Sequence, residues 1–118
     1  MNYTILIYET SADFAARTDP KKQAAYWAAW PPYSKALKEA GVFAGGAGLQ
    51  PPDTATTLRF EGEKRLVQDG PYADTKEQLG GYFIVDVPDL DSALEWAARC
   101  PRMPGRVLEI RPNIPPMS

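Results

Sequence analysis

The sequence predicts a mixed α+β domain in which an antiparallel sheet carries two helices on one face and an added hairpin. Strand-like and helix-like segments follow one another as strand, helix, strand, hairpin, strand, helix, strand. The 118 residues are enough for one hydrophobic core. Hydrophobic residues make up 44% and charged residues 24% of the chain, as in ordinary globular domains. Residues 1–118 are therefore expected to form a single domain.

The first half of the chain contains a strand, an interrupted helix and a second strand. Residues 3–8, YTILIY, are apolar or β-branched on both alternating faces, which predicts a central strand buried on both sides. Asp19 and Pro20 form a helix start and Gly41 a helix end. Pro31 and Pro32 predict a kink or a break near residue 30. Residues 42–52, VFAGGAGLQPP, predict a short strand that the proline pair ends.

The second half contains the hairpin and the remaining elements. Residues 54–60 and 64–68 alternate in polarity around the turn EGEK, which predicts two paired strands. Gly80 and Gly81 lead into a strand over residues 82–87. Asp89 caps a helix that ends before Pro101, and residues 107–111 form the last strand.

One face of the predicted sheet has no helix to cover it. Two right-handed strand-helix-strand connections place both helices on the same side of the sheet. The bare face is expected to be mixed, with polar residues from alternating strand positions: Arg59, Gln68, Asp86, Glu109 and Arg111. Because a strand as apolar as residues 3–8 should not face water, we expect a second copy of the chain to pack against this face as a homodimer.

Composition excludes several classes of function. A net charge of −2 argues against a nucleic-acid partner, because such proteins need a basic face. The sequence has no apolar run long enough for a membrane span and no signal-peptide pattern, so we expect a cytoplasmic protein. The single Cys100 agrees with a reducing compartment. Without histidine, an ordinary zinc site or a histidine-dependent nucleophile is not expected, and we predict no metal and no cofactor.

Three separated blocks of the chain resemble one protein family. The segments DGPYADTKEQLGGYFIVDV (69–87) and DLDSALEWAARCP, with GVFAGGAGLQPP and YTILIY before them, are similar to the DGPF group of YCII-related domain proteins. Tyr72 stands where that group usually has phenylalanine. The resemblance implies a ferredoxin-like fold assembled as a dimeric α/β barrel.

The resemblance implies little about activity. Most DGPF members have no assigned reaction, and some are encoded near extracytoplasmic-function sigma factors. Related YCII members have been proposed as enzymes that use a histidine and an aspartate in a cleft. Trp30 stands where that histidine would lie, so the proposed activity is not transferred to this chain.

The candidate site is a cleft between the first helix and the loop at residues 69–78. A loop on a rigid sheet often holds ligand-contacting groups, and close spacing of acids and a cation can shift carboxylate pKa values. Asp69 and Glu77 are the catalytic candidates. The expected ligand-binding residues are Trp30, Arg59, Asp69, Tyr72, Lys76 and Tyr82. The same residues could equally form a turn, core contacts or a solvated ion pair.

Three functions remain open on the sequence alone. The first is a homodimer that binds a small carbonyl-bearing or anionic molecule in this cleft. The second is a cofactor-independent enzyme that moves a proton through Asp69 or Glu77, assisted by Tyr72 or Tyr82. The third is an interaction module linked to sigma-factor signalling.

Overall fold

The computed structural model describes residues 1–116. Its elements in chain order are β1 (Asn2–Glu9), α1 (Ser11–Ala16), α2 (Gln23–Ala28), α3 (Trp30–Glu39), β2 (Phe43–Gly48), β3 (Thr56–Glu61), β4 (Lys64–Asp69), β5 (Gln78–Asp86), α4 (Leu90–Ala98) and β6 (Val107–Pro112). Four strands form the main sheet in the order β2-β5-β1-β6, and β3 pairs with β4 in a separate sheet. The strand pairs of the main sheet are antiparallel. This mixed α+β architecture is compatible with a ferredoxin-like fold.

Strand β1 is at the centre of the main sheet, with β5 on one side and β6 on the other. Its buried side chains alternate: Tyr3, Ile5 and Ile7 are buried, whereas Thr4 and Leu6 are half-buried. Within one chain, β1 therefore buries one face completely. Burial of its second face remains a prediction.

The core lies on the buried face of β1. Tyr33 and Leu37 of α3 belong to the same hydrophobic cluster as Ala93 and Ala97 of α4 and the three buried β1 residues. Small residues on α4 allow that helix to approach the sheet closely. Asp89 caps α4 by accepting a hydrogen bond from the Ser92 N–H at 2.8 Å.

The helical region between β1 and β2 differs from the predicted single interrupted helix. The break falls at Ala29, where α2 ends and α3 begins, with Pro31 in the first turn of α3. An additional helix, α1, precedes both and was not predicted, because its six residues are too short to show a helical stripe. Thr10 caps α1 by accepting a hydrogen bond from the Asp13 N–H at 3.2 Å.

Strand β5 begins at Gln78, four positions before the predicted start, and contains Gly80 and Gly81. Gly81 pairs with Ile7 of β1 on one side and with Gly48 of β2 on the other. The flanking strands therefore hold this segment extended although glycine disfavours strands.

The face of the sheet opposite the core carries part of the polar set expected there. Strand pairing places Asp86, Glu109 and Arg111 in register with Asn2, Leu6 and Thr4 on that face. The placement of Arg59 and Gln68 on the same face was wrong, since both belong to the separate β3–β4 hairpin. Alternation alone could not show that this hairpin leaves the main sheet.

Candidate functional site

A cluster of charged side chains is buried where β1 ends. The alternation that buries Tyr3, Ile5 and Ile7 continues to Glu9, so the last residue of β1 points its carboxylate into the core side of the sheet. Glu9 is 2% exposed, and a carboxylate at that depth requires cationic or hydrogen-bonding partners. The following elements supply those partners.

Arg17, which directly follows α1, is the first partner. One of its Nη2 hydrogens is donated to Glu9 Oε1 at 3.2 Å, and the other to the Gly80 carbonyl oxygen at 3.2 Å. Its Nε–H is donated to the Tyr26 hydroxyl at 3.0 Å, and Nη1 donates to the Leu49 carbonyl oxygen. A guanidinium has five N–H donors, so one N–H on Nη1 has no partner among the described residues.

Tyr26 of α2 is the second partner of Glu9. Its hydroxyl oxygen lies 2.9 Å from Glu9 Oε1 and 2.7 Å from Oε2, so its single proton is shared across the carboxylate. Burial, reinforced by the hydrogen bond to Glu9, raises the pKa of Tyr26 to about 12. The phenol therefore keeps its proton at neutral pH and acts as a donor.

Arg106 and Asp13 complete the cluster. Arg106 Nη2 lies 3.7 Å from Glu9 Oε2, and Arg106 Nε lies 3.6 Å from Asp13 Oδ2. Asp13 Oδ2 and Arg106 Nε are both buried without a hydrogen-bond partner among the described residues. Burial raises the pKa of Asp13, and the charge of Arg106 opposes that rise. Arg106 is held in place by donating to the Pro101 carbonyl oxygen at 2.6 Å.

Gly80 is the residue that leaves room for Glu9. A Cβ added at Gly80 would lie 2.5 Å from Glu9 Oε1 and 2.8 Å from its Cδ. Both separations are well below van der Waals contact, so any side chain at this position would displace the carboxylate. The charge cluster therefore explains Gly80, whereas a Cβ at Gly81 would meet the Ala47 carbonyl oxygen of β2 at 2.9 Å.

A cavity of about 660 Å³ opens beside the cluster, between the start of α3, β2 and β5. Glu9, Arg17 and Tyr26 lie at its polar end. Aromatic side chains form much of its wall: Trp27, Trp30, Phe43 and Phe83. Such a largely apolar space with a few convergent polar groups is typical of small-molecule sites.

Aromatic rings also surround the two guanidinium groups. The Arg17 guanidinium lies 4.8 Å from the Phe14 ring centre and 5.5 Å from that of Trp27. The Arg106 guanidinium lies 5.0 Å from the Trp30 ring centre. These contacts help to fix the orientation of both guanidinium groups.

Of the predicted ligand-binding residues, the structure places Trp30 in the wall of this cavity. The remaining predicted residues do not border it: Arg59 and Asp69 are exposed on the hairpin, Tyr72 and Lys76 are exposed on the loop, and Tyr82 pairs with Leu6 on the open face of the sheet. Glu77 is half-buried. Within residues 1–116, Lys76 forms no ion pair with Asp69 or Glu77.

The loop at residues 69–78 borders a second, smaller cavity of about 340 Å³. Pro71 and Gln78 contribute to its wall, together with residues from the segment after β2. Gln78 also fixes the loop by donating to the Ala73 carbonyl oxygen at 2.7 Å. The candidate carboxylates Asp69 and Glu77 do not line this cavity either.

None of the five cluster residues was predicted as a site residue from the sequence: Glu9, Asp13, Arg17, Tyr26 and Arg106. One signal was present, because Glu9 continues the spacing of Tyr3, Ile5 and Ile7 onto the core face. Arg106 lies in the connection before β6 and had no such signal.

Other classes of site are not supported by the described chain. Across residues 1–116, no three His, Cys, Asp or Glu side chains are grouped so that they could hold a metal ion. Among the described helices, none combines the length and the apolar character that crossing a bilayer requires.

Comparison with known proteins identifies the family. An uncharacterised protein of Rhizobium meliloti (strain 1021) is 46% identical over 59 residues, which cover 50% of this chain and 48% of that relative. The aligned region thus spans about half the length of this relative. The model of the YCII-related domain matches residues 1–115, nearly the whole chain. The chain therefore belongs to the YCII-related domain family.

Proposed function

We propose that this protein is a DGPF-type, homodimeric member of the family that binds a small carbonyl-bearing or anionic molecule in the cavity beside β1. The observation that carries this proposal is the unpartnered N–H on Nη1 of Arg17 at the polar end of an aromatic cavity. A ligand oxygen that accepts this N–H would complete the hydrogen bonding of a guanidinium that is only 8% exposed. The aromatic wall would bury the rest of the ligand.

A variant that fills the cavity tests the proposal. Gly48 lines the cavity, and a Cβ added there meets nothing within 4 Å, so Gly48→Leu places a side chain in the space without a backbone clash. Ala44→Leu on the exposed part of β2 is the matched control. A panel of small aromatic amides and carboxylates should raise the melting temperature of the wild type and of the control but not of Gly48→Leu. Equal shifts in all three proteins would rule out this cavity as the binding site.

The homodimer part of the proposal is supported by the open face of the sheet. Leu6, Tyr8, Tyr82 and Ile84 remain half-buried there in a single chain, and the core residues of α3 and α4 cluster with the opposite face of β1. Packing two such faces together would form the dimeric α/β barrel.

Analytical ultracentrifugation tests the dimer. Leu6→Glu places a charge at the centre of the open face and should weaken self-association at least about tenfold. Leu58→Glu changes a residue that is 51% exposed on the hairpin and serves as the control. A wild type that sediments as single chains at every concentration would disprove the dimer.

A second function, a cofactor-independent acid-base enzyme, is favoured by one observation. Two carboxylates, Glu9 and Asp13, lie within 3.7 Å of the same guanidinium, and Asp13 has a raised pKa. A buried carboxyl group whose pKa is raised, as at Asp13, is suited to acid-base chemistry. In this function, Glu9 at the cavity would exchange the proton with the ligand, in place of Asp69 or Glu77.

A pair of variants separates the two locations of this chemistry. Any turnover of a carbonyl substrate should be lost in Glu9→Gln and kept in Glu77→Gln, provided both variants show the wild-type circular dichroism spectrum. If turnover is lost in Glu77→Gln but not in Glu9→Gln, the proton transfer takes place at the loop at residues 69–78.

A further inference from the structure

We infer that the ligand of the cavity is a neutral carbonyl compound, such as an amide, ketone or ester, and not a carboxylate or phosphate. This inference rests on the proposed function and narrows it from two ligand classes to one. It depends on the charges and the hydrogen-bond donors at the polar end of the cavity.

The buried cluster is already balanced in charge. The two carboxyl groups of Glu9 and Asp13 match the two guanidinium groups of Arg17 and Arg106 in number and opposite formal charge, on side chains that are each at most 8% exposed. The other polar side chains at the cavity wall, Thr18, Ser34 and Gln50, are uncharged. An anion entering this space would lose its hydration without meeting a net positive charge.

Arg17 has a single free N–H, so this guanidinium can meet one carbonyl oxygen but cannot offer two parallel N–H groups to an anionic group. Carboxylates and phosphates are bound most strongly by two parallel N–H groups of one guanidinium. Both Nη2 hydrogens of Arg17 are used by Glu9 and Gly80, and its Nε–H is used by Tyr26. One N–H on Nη1 remains, which is what one carbonyl oxygen needs.

Glu9 adds a repulsive contribution against anions. Its carboxylate is itself part of the cavity wall and is bonded to the same guanidinium that offers the free N–H. A ligand anion at Arg17 would therefore compete with Glu9 for one cation in a poorly hydrated space. A neutral carbonyl accepts the N–H without this competition.

The test uses probes of one shape and different charge on the full chain. Naphthamide and naphthoate have the same outline, and methylnaphthalene lacks the polar group. Isothermal titration calorimetry at neutral pH should give the tightest binding for naphthamide and at least about tenfold weaker binding for naphthoate. Naphthoate binding as tight or tighter would overturn the inference but leave the cavity as a binding site. Binding of methylnaphthalene alone would overturn it as well. If none of the three probes binds, the proposed function itself fails.

A charge variant provides a second, independent readout. Asp13 does not line the cavity, so Asp13→Asn removes one negative charge from the cluster without altering the wall. The ratio of the naphthoate Kd to the naphthamide Kd should then fall by at least about threefold. Asp53→Asn, on an exposed residue, is the control that should keep the preference. If Asp13→Asn does not fold, Glu9→Gln provides the same charge change. An unchanged preference in the folded variant would overturn the inference.

Discussion

The buried cluster at the end of β1 and the loop at residues 69–78 contain similar side chains but use them in opposite ways. In the cluster, Glu9, Arg17 and Tyr26 follow one another along the first part of the chain, Arg106 comes from the segment before β6, and their polar atoms contact one another at 2.7–3.7 Å. In the loop, Asp69, Lys76 and Glu77 are close in sequence, and no ion pair within 4 Å joins them in residues 1–116. Closeness along the chain thus did not bring the charged groups of the loop into contact, whereas packing at the end of a buried strand did so in the cluster.

The largest expected effect is on stability when one cation of the cluster is removed. Arg17→Met leaves Glu9 buried with one ionic partner fewer and should lower the free energy of unfolding by about 3–5 kcal/mol. Lys76→Ala in the loop should change it by less than about 0.5 kcal/mol. Urea denaturation at a fixed protein concentration measures both values. Comparable losses in the two variants would remove the distinction between the cluster and the loop.

A smaller effect is expected from the glycine that makes room for Glu9. Gly80→Ala forces a Cβ to within 2.5 Å of Glu9 Oε1 and should cost about 1–3 kcal/mol of stability. Gly48→Ala is a matched strand glycine, and its added Cβ meets nothing within 4 Å, so no comparable loss is expected. If both alanine variants unfold at the same urea concentration, Gly80 is not required by the carboxylate.

Much of the fold could be predicted from the sequence, because it follows from local patterns. The Asp89 cap and the prolines after Ala29 affect only the residues next to them in the sequence. In the structure, α4 begins directly after Asp89, and the break between α2 and α3 lies at Ala29. The family resemblance is confirmed by the match over residues 1–115. Helix α1 also has a local cap at Thr10, but its six residues are too few to show a helical stripe.

The site could be predicted only in part, because its geometry depends on long-range packing. Trp30 was predicted and lines the cavity. Glu9 lies just beyond the predicted strand at residues 3–8, and one of its buried partners, Arg106, lies 97 positions later in the sequence. The hairpin that carries Arg59 and Asp69 alternates like any other strand pair, so its separation from the main sheet could not be read from its own residues.

The smallest expected effect is a pH dependence of stability that comes from Asp13 of the cluster. Asp13 has a raised pKa because of its burial, so the folded protein binds its proton more readily than the unfolded chain does. Its contribution is favourable below the usual pKa of 3.8 and is lost as the pH rises through the folded-state value. Relative to Asp13→Asn, the wild type should therefore lose stability from about pH 4 upward.

At Asp89 the stability of the same molecule is expected to change with pH in the opposite direction. Its hydrogen bond with the Ser92 N–H lowers its pKa, so its contribution is favourable above the usual value and is lost as the pH falls. Relative to Asp89→Asn, the wild type should lose stability on acidification. Chemical denaturation across the acidic range distinguishes the two carboxylates, and slopes of the same sign would show that the Asp13 pKa is not raised by burial. The attraction of Arg106 on its own would lower the pKa of Asp13, as the Ser92 N–H lowers that of Asp89. If the stability of the two wild-type and variant pairs changes with pH in opposite directions, the effect of burial on the Asp13 pKa is therefore larger than the effect of Arg106.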